Sequence, residues 1–266
     1  MCEAIVNGMI DSGEVLSENV IVADISGQRL DYLKKSYGVQ TVLSDGSGSA
    51  VSEIGGKCDV ILLAVKPQQA VDVLSKLSEH VRADCIVISI MGGITIDFLK
   101  ENLPKNKIMR VMPNTPMLVR KGVAGIAVSF DCDENDIQLC TSLFELMGTA
   151  YVIPEYLIDP LTSVSGCSPA FVYMFIEALS DGGVAKGLPR EMAIKIASQA
   201  VAGAAEMVLQ TDKHPAQLKD SVTSPGGGTI AGVHALENGG FRASVINAVT
   251  ESCERMMEVG EKSQSK

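Results

Sequence analysis

The sequence predicts an α/β protein: a doubly wound parallel sheet whose first strand is missing, followed by an all-α domain. Between residues 1 and 153 short β-rich runs alternate with amphipathic helical runs, the pattern of a parallel sheet covered on both faces by helices. The run Val60 to Val65 is apolar without a break, as a strand buried on both faces requires. After Pro154 the strand patterns stop and long helical ones take over.

Taken in order, Met1 to Ile10 is an amphipathic stretch that ends at Gly13, a residue suited to a left-handed helix end. Strands are expected at Asn19 to Asp24, Thr41 to Leu43, Asp59 to Val65, Cys85 to Ile90, Ile108 to Met112, Gly125 to Phe130 and Ala150 to Ile153. Helices are expected at Gly27 to Tyr37, Gln68 to Val81, Ile94 to Leu103 and Glu134 to Met147, where Val71, Leu74 and Leu77, or Leu139, Leu143 and Leu146, form apolar stripes. This first domain spans residues 1–153. The second, residues 154–266, carries helical patterns at Asp159 to Lys186, Pro189 to Gln210, Pro215 to Val222, a run from Gly228, and Phe241 to Gly260. Ala170 to Ile176 is apolar all round and is expected to be buried on every side, with a second subunit completing the core.

A net charge of −10 over 266 residues argues against a nucleic-acid or anionic-membrane surface. No purely apolar run approaches the roughly 20 residues of a membrane helix. Glu3 and Asp11 stand where an export signal would need positive charge. The seven cysteines form no Cys-x-x-Cys pair, and the three histidines have no second ligand at metal spacing. Reduced thiols, a cytoplasmic location and no metal are the expectation.

Sheets of this kind bind ligands at the carboxyl ends of their strands. There the chain places Asp24, then Lys66-Pro67, Met91-Gly92-Gly93 and Pro113-Asn114-Thr115-Pro116. A dinucleotide-binding unit would also open on a strand and a Gly-x-Gly-x-x-Gly turn before its first helix, and residues 1–13 contain neither. In the helical half, Ser224-Pro225-Gly226-Gly227-Gly228-Thr229 precedes a helix-compatible run. Glycines at a helix mouth let unpaired N–H groups converge on a small anion, and the helix dipole adds positive character there. Thr229 contributes a hydroxyl.

With these residues in view, the chain resembles the pyrroline-5-carboxylate reductase family over essentially its whole length. The match centres on Gln217 to Ile230, with support from Ala64 to Pro67, Met112 to Pro116, Ser165 to Ala170, Gly187 to Arg190 and Gly239 to Ala243. The resemblance implies an incomplete Rossmann-like NAD(P)-binding domain and a helical domain for dimerisation and substrate binding, in a homodimer or a ring of dimers. It implies NADPH, or NADH, as coenzyme and reduction of the cyclic imine 1-pyrroline-5-carboxylate to L-proline. Cofactor contacts are implied at Ala64, Val65, Lys66, Pro67, Ile90, Met91, Gly92 and Asn114. Asp24 suits ribose hydroxyls, and Ser26 or Arg29 suits a 2′-phosphate. Thr229 and Ser224 are the implied catalytic pair, with substrate contacts at Gly226, Gly227, Gly228, Glu155 and Ser221. The sequence departs from the family in lacking the first strand and glycine turn, and in carrying Ser168 and Gly228 where other residues are common. Two rival readings are a β-hydroxyacid dehydrogenase, disfavoured because no lysine occurs between Lys121 and Lys186, and a non-catalytic dimeric binding module.

Overall fold

A computed structural model describes residues 1–264, with side chains through residue 260. The chain forms two compact units, Met1–Gly166 with Ser252–Lys266, and Cys167–Glu251.

The first unit opens on α1 (Cys2–Ser12), closed by Gly13 in the left-handed conformation (φ 80°). Strand β1 (Ile21–Asp24) leads to α2 (Gly27–Tyr37), whose N-cap Ser26 accepts from Arg29 N and whose helical run ends at left-handed Gly38. Strand β2 (Gln40–Leu43) pairs parallel with β1. Helix α3 (Ser49–Lys57) crosses to β3 (Val60–Leu63), α4 (Ala70–Ser78) to β4 (Ile86–Ser89), and α5 (Ile96–Asn102) to β5 (Lys107–Pro113). These three strands are mutually parallel. Strand β6 (Gly122–Val128) then runs antiparallel to β5, and after α6 (Glu134–Glu145) strand β7 (Gly148–Val152) runs parallel to β6.

The expected single sheet is observed in two parts, a pair β2-β1 and a five-stranded sheet β3-β4-β5-β6-β7. In a doubly wound order another strand would lie between β1 and β3. Among the described residues none does, so each keeps one unpaired edge. Helix α1 links the two parts instead: Ile5 is buried with Ile88, Met109, Val111 and Phe144, Val6 is buried with Val22, Leu30 and Leu33, and Met9 packs on both groups. The opposite face of the larger sheet packs Ile61, Leu63 and Val87 against Leu74, Leu77 and Leu99. Every residue of β4 is buried, as its apolar composition requires.

Residues 154–166, expected at the head of the helical domain, pack with the first unit. Helix α7 (Ile158–Thr162) is anchored by Ile158, which is fully buried in the sheet core. A π-helical turn over Ser163–Cys167 then breaks the helix expected from Asp159 to Lys186 before α8 (Ser168–Ala185) resumes. Proline at 169 has no N–H to offer the carbonyl four residues back, and that oxygen, on Ser165, accepts from Asn114 Nδ2 at 2.9 Å.

The second unit contains α8, α9 (Arg190–Thr211), α10 (Pro215–Ser221), α11 (Gly228–Asn238) and the first half of α12 (Phe241–Gln264). Ala170 to Ile176 is not buried on every side in the single chain: Tyr173 is 63% and Met174 69% exposed. The reason is composition. Helices apolar on more than one face outnumber the neighbours one chain can give them. Helix α9, mostly exposed, is long and apolar enough to cross a membrane by length and hydropathy, although Lys195 and Glu206 interrupt its apolar surface.

Candidate functional site

The first unit brings Ala64 to Pro67, Ile90 to Gly92 and Asn114 to one edge of the sheet, because each follows the carboxyl end of β3, β4 or β5 and those strands are parallel neighbours. Pro67 begins a single 3₁₀ turn, so Lys66 stands at the point where the chain leaves the sheet. Above Gly92 there is open space, with no atom within 4 Å of a Cβ built on it, and a planar ligand can therefore approach its backbone. Met91 is 1% exposed as a whole residue, belongs to the sheet core, and its N–H donates to Ser89 Oγ.

Asn114 is 6% exposed and committed at both ends of its amide, Nδ2 to the Ser165 carbonyl and Oδ1 accepting from Val123 N at 2.8 Å. At the end of β1, Asp24 Oδ1 accepts from Ser26 N at 2.8 Å, which fixes the carboxylate at the mouth of α2. Arg29, the cation nearest that mouth in sequence, is already paired with Glu3 of α1.

Glu155 has partners other than a substrate. Its Oε1 accepts from Ile96 N at 2.9 Å and from Arg110 Nη1 at 3.0 Å. Arg110, 4% exposed in the middle of β5, also reaches Asp159 at 3.5 Å, while its Nε has no partner. The carboxylate expected to touch substrate therefore holds a buried guanidinium and the start of α5. A lone arginine within the apolar run Ile108 to Met112 was the available sequence signal for this cluster.

In the second unit, His214 caps α10 through Nδ1, which accepts from Ala216 N, and Gln217 Oε1 accepts from His214 N. Ser221 is exposed, and its hydroxyl donates to the Leu218 carbonyl at 2.7 Å, which leaves its lone pairs as its polar capacity toward a ligand. The glycine loop follows. Gly226 has φ 69°, a conformation costly for any residue with a Cβ. Gly227 N–H donates to the Ser224 carbonyl at 3.1 Å, closing the turn.

That last bond takes the Gly227 N–H out of the set available to a ligand. The N–H groups left without an intrahelical acceptor belong to the first turn of α11, at Gly228, Thr229 and Ile230. A Cβ on Gly227 would meet Ser224 Oγ at 2.4 Å and its carbonyl at 3.2 Å, so any side chain there must displace Ser224. Thr229 is exposed at the same helix mouth. The loop thus presents amide donors, the positive end of an 11-residue helix and one hydroxyl together, a set suited to a small carboxylate bearing a second polar atom.

These residues fit a nicotinamide dinucleotide at its ribose and nicotinamide ends: an oriented carboxylate at the mouth of α2 and an open glycine backbone after β4. They supply no pyrophosphate-cradling glycine turn, and α1 starts without a side-chain cap.

Two family models match the chain, one for pyrroline-5-carboxylate reductase dimerisation at residues 155–259 and one for NADP oxidoreductase, coenzyme F420-dependent, at residues 1–93. The pyrroline-5-carboxylate reductase of Synechocystis is 42% identical over 98% of this chain and 96% of its own length. That of Escherichia coli is 41% identical over 96% and 93%. Among solved structures, the Plasmodium falciparum pyrroline carboxylate reductase with NADP bound superposes with a TM-score of 0.85 at 35% identity, covering 97% of this chain and 94% of that one. The Coxiella burnetii pyrroline-5-carboxylate reductase gives 0.87 at 32%, with the same coverage. With likeness of this degree along nearly the whole chain, on a sheet-plus-helices architecture and a glycine loop at a helix mouth, the chain belongs to the pyrroline-5-carboxylate reductase family.

Proposed function

We propose that this chain reduces 1-pyrroline-5-carboxylate to L-proline with NADPH, NADH being the lesser coenzyme. The observation that carries the reading is the glycine loop: free N–H groups of Gly228, Thr229 and Ile230 at the positive end of α11, beside an exposed threonine hydroxyl. The substrate's carboxylate is bound by those donors. The Thr229 hydroxyl hydrogen-bonds the ring nitrogen, which must carry a proton as the C=N bond becomes C–N. Ser224 shapes the turn through its carbonyl, which accepts from Gly227 N.

When bound, the reduced nicotinamide supplies the hydride. The chain's own part is to position the reactants: Ala64 to Pro67 and Gly92 line the strand ends, Asn114 braces the end of β5, and Asp24 with Ser26 takes the ribose. Orientation of this kind contributes about 7–11 kcal/mol to lowering a two-reactant barrier. No side chain of the loop is a strong acid or base, which suits an imine that is reduced in its protonated form.

The dimerisation model on residues 155–259 and the exposed apolar surface of α8, α9 and α12, including Met174, Ile196, Leu209 and Ile246, support a homodimer, on its own or within a ring of dimers. A protein partner for that surface also accounts for the apolar length of α9. Seven free thiols support a reducing, cytoplasmic setting.

The test is loss of NADPH absorbance on adding 1-pyrroline-5-carboxylate, with L-proline identified as product. Turnover is expected with NADPH; saturable coenzyme binding with no proline formed would leave a binding module in its place.

A further inference from the structure

Helix α1 delivers a carboxylate to a place where α2 offers a cation. Glu3 Oε2 accepts from Arg29 Nη2 at 2.5 Å, and Glu3 Oε1 accepts from the hydroxyls of Tyr32 at 3.0 Å and Tyr37 at 3.1 Å. The Arg29 guanidinium also lies 5.3 Å from the centroid of the Tyr32 ring. With two tyrosines fixing the carboxylate, this is a built pair and not a loose surface contact. Arg29 nonetheless keeps 42% of its side chain exposed, so an anion can reach it without any segment unfolding.

Arg29 sits in the first turn of α2, immediately after the carboxyl end of β1. At this point of a doubly wound sheet, an acidic side chain accepts from a ribose 2′-hydroxyl and an arginine accommodates a 2′-phosphate. The chain has both groups, Asp24 with its carboxylate fixed by Ser26 N and Arg29, and Glu3 adds a second acidic group that engages the arginine directly. Glu3 engages Arg29 through Nη2, so a 2′-phosphate must share the guanidinium's donors with that carboxylate and face its charge, whereas a 2′-hydroxyl has no such competitor.

We propose that Glu3 is a coenzyme-selectivity residue: by holding Arg29 it weakens capture of a ribose 2′-phosphate and leaves 2′-hydroxyl nucleotides untouched, setting the ratio of NADPH to NADH use. Glu3 acts through Arg29 and is a positioning residue. The proposal rests on the coenzyme reading above.

The experiment measures binding of adenosine 2′,5′-bisphosphate and of adenosine 5′-monophosphate to the full chain by calorimetry, together with KM for NADPH and NADH. In Glu3→Gln the bisphosphate is expected to bind roughly two- to fivefold more tightly, the range for release of one partly exposed ion pair, with the monophosphate unchanged and KM falling for NADPH alone. Arg29→Ala is expected to bring bisphosphate affinity down to the monophosphate level and to abolish the effect of Glu3→Gln in the double variant. Equal shifts for both nucleotides, or a gain that persists without Arg29, overturns the role of Glu3. Should Glu3→Gln fail to fold, Glu3→Asp, whose shorter carboxylate withdraws from Arg29, must move the ratio in the same direction or the proposal falls. A wild-type chain that binds neither coenzyme overturns the coenzyme reading itself.

Discussion

Asn114 Nδ2 donates to the carbonyl of Ser165, the oxygen that Pro169 leaves without its regular helical donor. One side chain at the end of β5 thus satisfies the backbone at the break between α7 and α8, and through Oδ1 it also receives Val123 N of β6. Replacing Asn114 with Ala strands two backbone groups, and at about 1–3 kcal/mol for each unsatisfied group the loss of stability is expected to be near 3 kcal/mol by urea unfolding. In a Pro169→Ala background, where residue 169 regains an N–H for Ser165, the loss should shrink. An unchanged loss would show that the π-helical turn does not depend on Asn114.

The Arg110–Glu155 pair makes a second case. Arg110 is buried in β5 with Glu155 and Asp159 as its charge partners and its Nε unpaired. Removing one partner of a buried pair typically costs about 3–5 kcal/mol, because the remaining charge is left in a poor solvent. Glu155→Ala also strips the acceptor from Ile96 N, and a loss of about 3 kcal/mol is expected. Glu155→Gln should cost less, since an amide oxygen still accepts from both donors. Adding Arg110→Met to Glu155→Ala should recover stability, as removal of both charges often does. If the double variant is less stable than Glu155→Ala alone, the guanidinium is held chiefly by other contacts.

Much of this architecture is legible in the amino-acid pattern, for reasons that also mark where legibility stops. Strands β3 to β5 show as apolar runs because a parallel sheet is buried on both faces, and Gly27–Tyr37 shows as a helix from its serine cap to its terminal glycine. Helix α3 is not visible: it follows Ser44-Asp45-Gly46-Ser47-Gly48, and its own Ser49, Ser52 and paired glycines read as loop. The division of the sheet depends on which edges meet, information no single run carries. The glycine loop is legible because its job is done by backbone, which glycine exposes. The setting of Glu155 is not, since its partners Ile96 N and Arg110 come from the fold and not from a neighbouring motif.

The loop makes separable demands on Thr229 and Gly227. Loss of a positioned donor to a reacting centre typically costs about 10²-fold or more in rate. Thr229→Ala is therefore expected to lower kcat for proline formation well over tenfold with the unfolding midpoint unchanged, and Thr229→Ser to restore most of it. Gly227→Ala acts by another route: its Cβ would collide with Ser224 Oγ and press on the Ser224 carbonyl, displacing the donors proposed above to hold the carboxylate. Its effect should fall on KM, and Ser224→Ala, which removes the nearer obstacle, should relieve part of it. Undiminished kcat in Thr229→Ala would remove the hydroxyl from the reaction.

The cluster around Glu3 predicts a pH dependence with two edges. The hydrogen bond from Arg29, followed by those from Tyr32 and Tyr37, holds the Glu3 carboxyl below its ordinary value against the opposing effect of burial. A depressed folded value means stability that is fully present above the unfolded carboxylate value of about 4.3 and is lost as pH falls through the folded one. Glu3→Gln should therefore melt below the wild type at neutral pH, with the gap closing under acid. Burial, and then the hydrogen bond to Glu3, pushes Tyr37 up to about 12. Its neutral form is favoured by folding, so the contribution of Tyr37 is present below its unfolded value of about 10 and disappears as pH rises to about 12. A Tyr37→Phe variant should differ from the wild type in melting temperature at neutral pH and converge with it at the alkaline end. Parallel pH–melting curves for the three proteins would show that these hydroxyls and this carboxylate are not coupled to folding.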